Sequence, residues 1–391
     1  MAMNRRVLWT LYGSNLLISI GVWFFLPLLP IYLDRRGGTA ALVGAVFAAG
    51  LLGNAASRYP AGWAADRFGT RPVMIGALLA YSAFFLIYLL PMPTPLFVVV
   101  RLLHGAAGGA FAPAAYGLVA QVTAPKQRGQ AYGMMQSTNM AGMLVGPAIG
   151  GFIALFSLNA IFIVAAAVCL LSTLAVWAVP NARVESPPEA PVSAFRLLRT
   201  LVPLIILGAG TSYLIGTFDT IWSLYMSYRG ASTFEVGISF AAFALPATLV
   251  SAQAGALGDR FGAVRMVSFA LVGTAVFASI YPFVTSVPWL IGLGLIEGAL
   301  TVGAGPSLVA EVSRAALPGQ QGRTQGMFQT VQTGLQIVGS LAGGALYTVS
   351  PTYAFLAMTV VCLIGAASPL FLYRRGRRRS VPHVLEPPPT I

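Results

Sequence analysis

Charge is scarce in this chain: only 8% of its 391 residues are Asp, Glu, Lys or Arg, and ten of them are acidic. So few charges cannot clothe one soluble core of this size. Histidine and cysteine are rarer still, at two each, and no HExxH, GxSxG or phosphate-binding loop occurs. Metalloprotease, serine-hydrolase and nucleotide-driven chemistry lack their residues, and His104 and His383 cannot form a histidine-rich metal site. No enzyme activity, metal or cofactor is expected. Cys169 and Cys362 lie 193 residues apart and read as packing residues rather than as a bridge.

Apolar side chains fill the space, with 57% hydrophobic residues and a mean hydropathy of +0.80. A membrane-spanning helix takes about 20 such residues. Turn signals and charges divide the chain into twelve expected spans, near 7–33, 40–61, 72–90, 95–121, 130–156, 159–179, 201–227, 234–257, 266–284, 288–311, 323–348 and 351–373. The first apolar run follows Arg5 and Arg6, yet it is too long for a cleaved leader, lacks a small-x-small site and leads into further spans. Eighteen of the 23 basic residues fall in the N-terminal segment, the tail or the loops after even-numbered spans. Three, Arg35, Arg36 and Arg229, occupy the opposite loops, and Arg58 and Arg101 lie inside spans. This bias predicts a multi-pass protein with both termini in the cytoplasm, and the short loops and arginine-rich composition suit the cell inner membrane. The net charge of +13 and the tail RRGRRR suit inner-leaflet lipids rather than nucleic acid.

The few charges are placed twice. GWAADRFGTR, Gly62 to Arg71, returns as GALGDRFGAVR, Gly255 to Arg265, with Asp66 and Asp259 at the same 193-residue offset as the cysteines. The offset also pairs Tyr32 with Tyr225, Gly44 with Gly237, Gly105 with Gly298, Pro113 with Pro306, Gln136 with Gln329 and Gly150-Gly151 with Gly343-Gly344. A duplicated six-helix unit follows: 1–179 and 201–373, a Pro-rich cytoplasmic linker at 180–200 and a basic tail at 374–391. The expected fold is an all-α membrane protein of two pseudo-symmetric six-helix halves, an architecture of transporters that place the substrate between the halves.

With Gly62, Asp66, Arg67, Gly69 and Arg71 in the pattern G-x-x-x-D-R-x-G-x-R between spans two and three, the chain resembles the major facilitator superfamily. The second copy keeps Gly255, Asp259, Arg260 and Gly262. The resemblance implies that Asp66 meets the start of span eleven near Arg323 and Asp259 the start of span five near Arg128, as conformational gates, with Arg58 one turn away. Span five carries GMLVGPAIGG, and Gly142, Gly146, Pro147, Gly150 and Gly151 match the antiporter pattern G-x-x-x-G-P-x-x-G-G. This resembles the twelve-span drug:proton antiporter and sugar efflux type. Span eleven has Ser340 where the proline would stand.

Each ionisable group at mid-membrane costs about 2.5–3.5 kcal/mol on the insertion scale, which makes such groups functional candidates. Arg101, His104, Asp219 and Glu297 lie deep in spans four, seven and ten, which in the family line the central cavity. Asp219 and Glu297 are the natural proton carriers, because a carboxyl's hold on a proton changes with burial and with a nearby cation. Arg101, in RLLHG, resembles the family's span-four arginine linked to proton coupling. His104 shares its helix face and is the offset mate of Glu297. A salt bridge from Arg101 to Asp219 or Glu297 that only joins the halves is the plainer alternative. Expected substrate-binding residues are Tyr12 and Asn15 in span one, Gln136 and Asn139 in span five, Tyr213, Phe218 and Trp222 in span seven, and Gln329, Gln332 and Gln336 in span eleven. For the amides, hydrogen bonding between helices is the plainer role. The expectation is a monomeric, proton-coupled exporter of small amphipathic molecules whose partners are substrate, protons and membrane lipids. Nutrient or sugar uptake by symport or facilitated diffusion is the alternative.

Overall fold

The structure is a computed structural model that describes residues 5–124, 127–181, 194–301, 304–315 and 321–376. Its helices are α1 Arg5–Phe25, α2 Leu29–Asp34, α3 Ala40–Phe68, α4 Thr70–Ile87, α5 Leu96–Val122, α6 Arg128–Phe156, α7 Leu158–Trp177, α8 Ala194–Tyr228, α9 Thr233–Phe261, α10 Ala263–Ile280, α11 Val287–Thr301, α12 Ala304–Ala315, α13 Gln321–Val349 and α14 Pro351–Gly376. One tight helical turn, Leu26–Leu28, joins α1 to α2, with Pro27 and Pro30 near the junction. Among the described residues there are no strands.

Among these residues nine helical segments are long and apolar enough to cross a membrane, the first running from Arg5 through Asp34. The other expected spans correspond to α9, to α11 with α12, and to α13. In α9 the apolar part is Thr233–Pro246, and α11 is apolar but short. α13 carries Gln325, Gln329, Gln332 and Gln336, so bonding to protein rather than greasiness must hold such a helix in a bilayer.

Two boundaries differ from the sequence expectation. The repeated charged motif is not a loop: Gly62 to Arg67 form the last turns of α3, and a one-residue turn at Gly69 leads straight into α4. Gly262 makes the same turn between α9 and α10. Both glycines have positive φ, +97° and +87°, a region in which side chains are strained. The described part of helix α8 already includes Ala194, inside the expected linker, and the expected tenth span is described as α11 and α12, with residues 302–303 between them outside the described residues. The linker's first residues serve the motif: the Asn181 amide donates to the Phe68 carbonyl, and its oxygen accepts from the Arg71 backbone, each at 3.4 Å. A Cβ on Gly69 would run into that Asn181 side chain. Gly69→Ala is therefore expected to destabilise by about 1–2 kcal/mol, read as a lowered thermal midpoint in detergent, with Gly76→Ala, in open space, as the control.

The duplication is visible atom by atom. The Tyr32 hydroxyl donates to the Tyr88 carbonyl at 2.5 Å, and its mate Tyr225 donates to the Tyr281 carbonyl at 2.6 Å. Arg36 lies over the Tyr32 ring and Arg229 over the Tyr225 ring. These two arginines thus clamp helix ends, which accounts for their presence in loops otherwise poor in positive charge. Cys169 and Cys362 are both buried free thiols.

The two halves meet through α3 with α13 and through α6 with α9. A Cβ on Gly44 would strike the Ser340 carbonyl, and one on Gly237 the Pro147 carbonyl. Gly344 abuts the Ala40 carbonyl as Gly151 abuts that of Thr233. Thr348 accepts from the Ala41 backbone at 3.0 Å, and Thr233 donates to the Gly151 carbonyl at 3.1 Å. All these contacts lie at the end of the bundle remote from the chain termini.

Candidate functional site

Arg101 reaches its position because α3 and α5 cross at backbone contact. A Cβ on Gly53 would strike the Leu102 carbonyl, and one on Gly105 the Gly50 carbonyl. Gly50 also leaves room for the arginine itself, since a Cβ there would stand 2.5 Å from Arg101 Nε. The guanidinium lies 5.2 Å from the centre of the Phe25 ring, a cation on an aromatic face. Arg101 is the charge that acts on Asp219 of α8, across the boundary between the halves. No ion pair joins Arg101 to Asp219 or to Glu297 among the described residues, so the expected plainer salt bridge is absent in this conformation.

Glu297 is not brought to that pair, and His104, although Arg101 acts on it too, is enclosed in its own half. His104 is fully buried in the first half, inside a ring of Tyr81, Phe85, Tyr88, Phe25 and Phe84 at centroid distances of 4.1–6.0 Å. Its mate Glu297 is buried in the second half, where Tyr281 donates to its carboxyl at 2.5 Å and Thr274 lies beside it. Sequence reasoning passed over these surroundings. Tyr88 and Tyr281 are themselves 193 residues apart, so the offset could have disclosed them.

Beside Asp219, the half-buried Phe218 stacks on Trp222 with centroids 4.6 Å apart and planes 17° from parallel. Phe240 and Phe243 extend the aromatic surface, and the Trp222 indole N–H donates to Ser239 Oγ at 2.9 Å. Several expected binding amides are instead used between helices. Asn15 donates to Thr138 Oγ1 at 2.8 Å and to the Met135 carbonyl at 3.0 Å; Ser19 donates to Asn139 Oδ1 at 3.1 Å. At the same offset Ser212 donates to Gln332 Oε1 at 2.8 Å. Tyr12 and Tyr213 are buried, Gln336 is half-buried, and Gln136 and Gln329 are exposed.

The antiporter pattern has a structural division of labour. A Cβ on Gly142, Gly146 or Gly150 would meet Ser19, Trp23 or Phe24 of α1. Pro147 and Gly151 face α9 in the other half. At the far end of α3, Asp66 and Arg67 are exposed, Arg67 lies over the Trp63 ring, and Arg58 donates to Asn54 Oδ1 at 2.8 Å. Arg260 lies over Phe261 as Arg67 lies over Phe68. The side chains of Asp259, Arg128 and Arg323, named in the expected gates, lie outside the described residues.

Two repeated helical halves that meet at one end, with an arginine, an acid and an aromatic shelf along their boundary, have the organisation of a secondary membrane transporter. The family model described as Major Facilitator Superfamily matches residues 11–228 and 201–389, and the chain belongs to that superfamily. It is similar to multidrug resistance protein 2 of Bacillus subtilis (strain 168), with 24% identity over 389 residues, 93% of this chain and 94% of that protein. It is also similar to quinolone resistance protein NorA of Staphylococcus aureus (strain MRSA252), with 26% identity over 237 residues, 58% of this chain and 60% of that protein. Among solved structures, the nucleoside transporter NupG shares the fold with a TM-score of 0.77 at 12% identity, covering 96% of this chain and 99% of that one.

Proposed function

We propose that this chain is a proton-coupled exporter of small amphipathic molecules, working by alternating access. The observation that carries the reading is Asp219: an acid beside an aromatic shelf on one half, acted on by Arg101 from the other. Rocking the halves changes the distance between them, and a carboxyl's hold on a proton depends on whether a cation stands near it. Proton binding and facing state are thereby linked, which is what exchange of proton for substrate requires. Likeness to a multidrug resistance protein over nearly the whole length supports export over uptake.

The molecule is read as twelve spans in halves 1–179 and 201–373, a monomer of the inner membrane with both termini in the cytoplasm. The described inter-half contacts then seal the outer end, and the conformation is the inward-facing one. The repeated charged motifs at the ends of α3 and α9 are the cytoplasmic gates of the opposite state. Export is tested in liposomes of known orientation under an imposed pH gradient, with ethidium as substrate. Proton-driven ethidium movement toward the acidic side, collapsed by an uncoupler, is the expected result. Movement that needs no gradient, or that runs with the protons, would establish facilitated diffusion or symport instead.

A further inference from the structure

We propose that Tyr281 is the positioning residue of Glu297 and that Trp222 ties it to the substrate surface, so that occupancy at Phe218 changes how Glu297 holds its proton. This rests on the proton-coupled reading above and says how the second acid takes part although it is sealed from the boundary between the halves.

Glu297 is 1% exposed. Among the described residues the groups facing it are Thr274 of α10, Tyr281 just after that helix and Cys362 of α14, and no cation is among them. A buried carboxyl without a cation depends on its hydrogen bonds, and the one from Tyr281 is short. The direction of that hydroxyl is fixed from two sides. Tyr225 holds the Tyr281 backbone carbonyl at 2.6 Å, and the Tyr281 ring packs edge-on against Trp222 with centroids 4.9 Å apart. Besides its indole bond to Ser239, Trp222 makes the flat stack on Phe218, the half-buried residue next to Asp219.

Phe218, Trp222, Tyr281 and Glu297 therefore touch in series. A ring laid on Phe218 shifts its stacking partner, Trp222 turns against Tyr281, and the hydroxyl moves relative to the carboxyl. In the first half the corresponding rings also touch, Phe25 with Tyr88 and Tyr88 with His104, yet no hydroxyl-to-carboxyl bond ends the series there. The offset mates are Phe25, Leu29, Tyr88 and His104: an aliphatic residue stands where Trp222 does, and a histidine where Glu297 does. An indole bridge and a hydrogen-bonded acid built into one half only are difficult to attribute to the packing that the two halves share.

The test uses full-length protein in liposomes, with ethidium as ligand, and reads affinity separately from protons moved per ethidium. Tyr281→Phe keeps the ring and removes the hydroxyl; Trp222→Phe keeps an aromatic stack and removes the reach to Tyr281. For Tyr281→Phe, ethidium affinity is expected within about twofold of wild type; for both variants the proton-to-ethidium ratio falls by at least about fivefold, whatever the affinity of Trp222→Phe. Glu297→Gln separates the two levels. If it loses coupling while Tyr281→Phe and Trp222→Phe keep the wild-type ratio, this inference is overturned and proton-coupled export stands. If Glu297→Gln keeps the wild-type ratio, Glu297 carries no proton and the inference falls at its base. A joint loss of affinity and transport at unchanged ratio would make Tyr281 a packing residue only, and would also overturn it. Should Tyr281→Phe not fold, Trp222→Phe decides alone.

Discussion

Asp219→Asn is expected to lower proton-driven ethidium transport in liposomes on the order of a hundredfold, the scale associated with a positioned proton-transfer group. Asparagine is nearly the same shape as aspartate, so the helix and the Phe218 stack persist while the exchangeable proton is lost. The same variant separates carrier from scaffold. A purely structural acid would be replaced at a cost in thermal stability and with little change in the proton-to-substrate ratio. Here the expected pattern is the reverse: a folded protein that binds ethidium and does not couple. The complementary change, Arg101→Gln, removes the one charge that, among the described residues, acts on Asp219 from across the boundary. It is expected to abolish the link between facing state and protonation, leaving slow movement that ignores the pH gradient.

A comparable loss is expected from Gly237→Leu, for a different reason. Gly237 has the Pro147 carbonyl where a Cβ would stand, and Gly44 has the Ser340 carbonyl in the mirrored place. Overpacking of this kind costs about 1–3 kcal/mol, and about 1.4 kcal/mol is a factor of ten in an equilibrium. Because the clash arises only when the halves close at this end, it taxes one facing state and spares the fold of each half. Transport should fall about tenfold or more with little change in thermal midpoint. A cysteine placed at Ala41, beside Thr348 at the same end, should react faster with a membrane-impermeant thiol reagent in the Gly237→Leu background. The two native thiols are buried and stay silent. An unchanged labelling rate would mean that this end does not open.

The parts of the molecule legible in its sequence are those governed by spacing. An offset of 193 residues is a property of the string, and the structure repeats it in Tyr32 with Tyr225, in Ser19–Asn139 with Ser212–Gln332, and in the four glycine crossings. Scarce charge was equally legible, because an acid inside an apolar helix stands out whatever surrounds it. Burial direction was not. Arg101 and His104 are three residues apart on α5, yet the charge of one acts on Asp219 of the other half while the other is enclosed by five rings of its own half. Which way each helix face turns depends on crossings set by Gly50, Gly53 and Gly105, and those become visible only in three dimensions. The amides show the same limit. Asn15, Asn139 and Gln332 look like ligand contacts in sequence and are bonded between helices in the structure. The charged motif looked like a loop because its residues are polar; Gly69 compresses the whole turn into one residue, and the rest continues the helix.

The most direct test of proton-coupled export is proton release itself. Purified protein is sealed in liposomes with a pH dye in the lumen, ethidium is added without an imposed gradient, and wild type is compared with Asp219→Asn and Glu297→Gln. The account predicts an ethidium-triggered loss of lumenal protons in wild type that Asp219→Asn abolishes. Ethidium movement with no proton flux, and both variants indistinguishable from wild type, would contradict it.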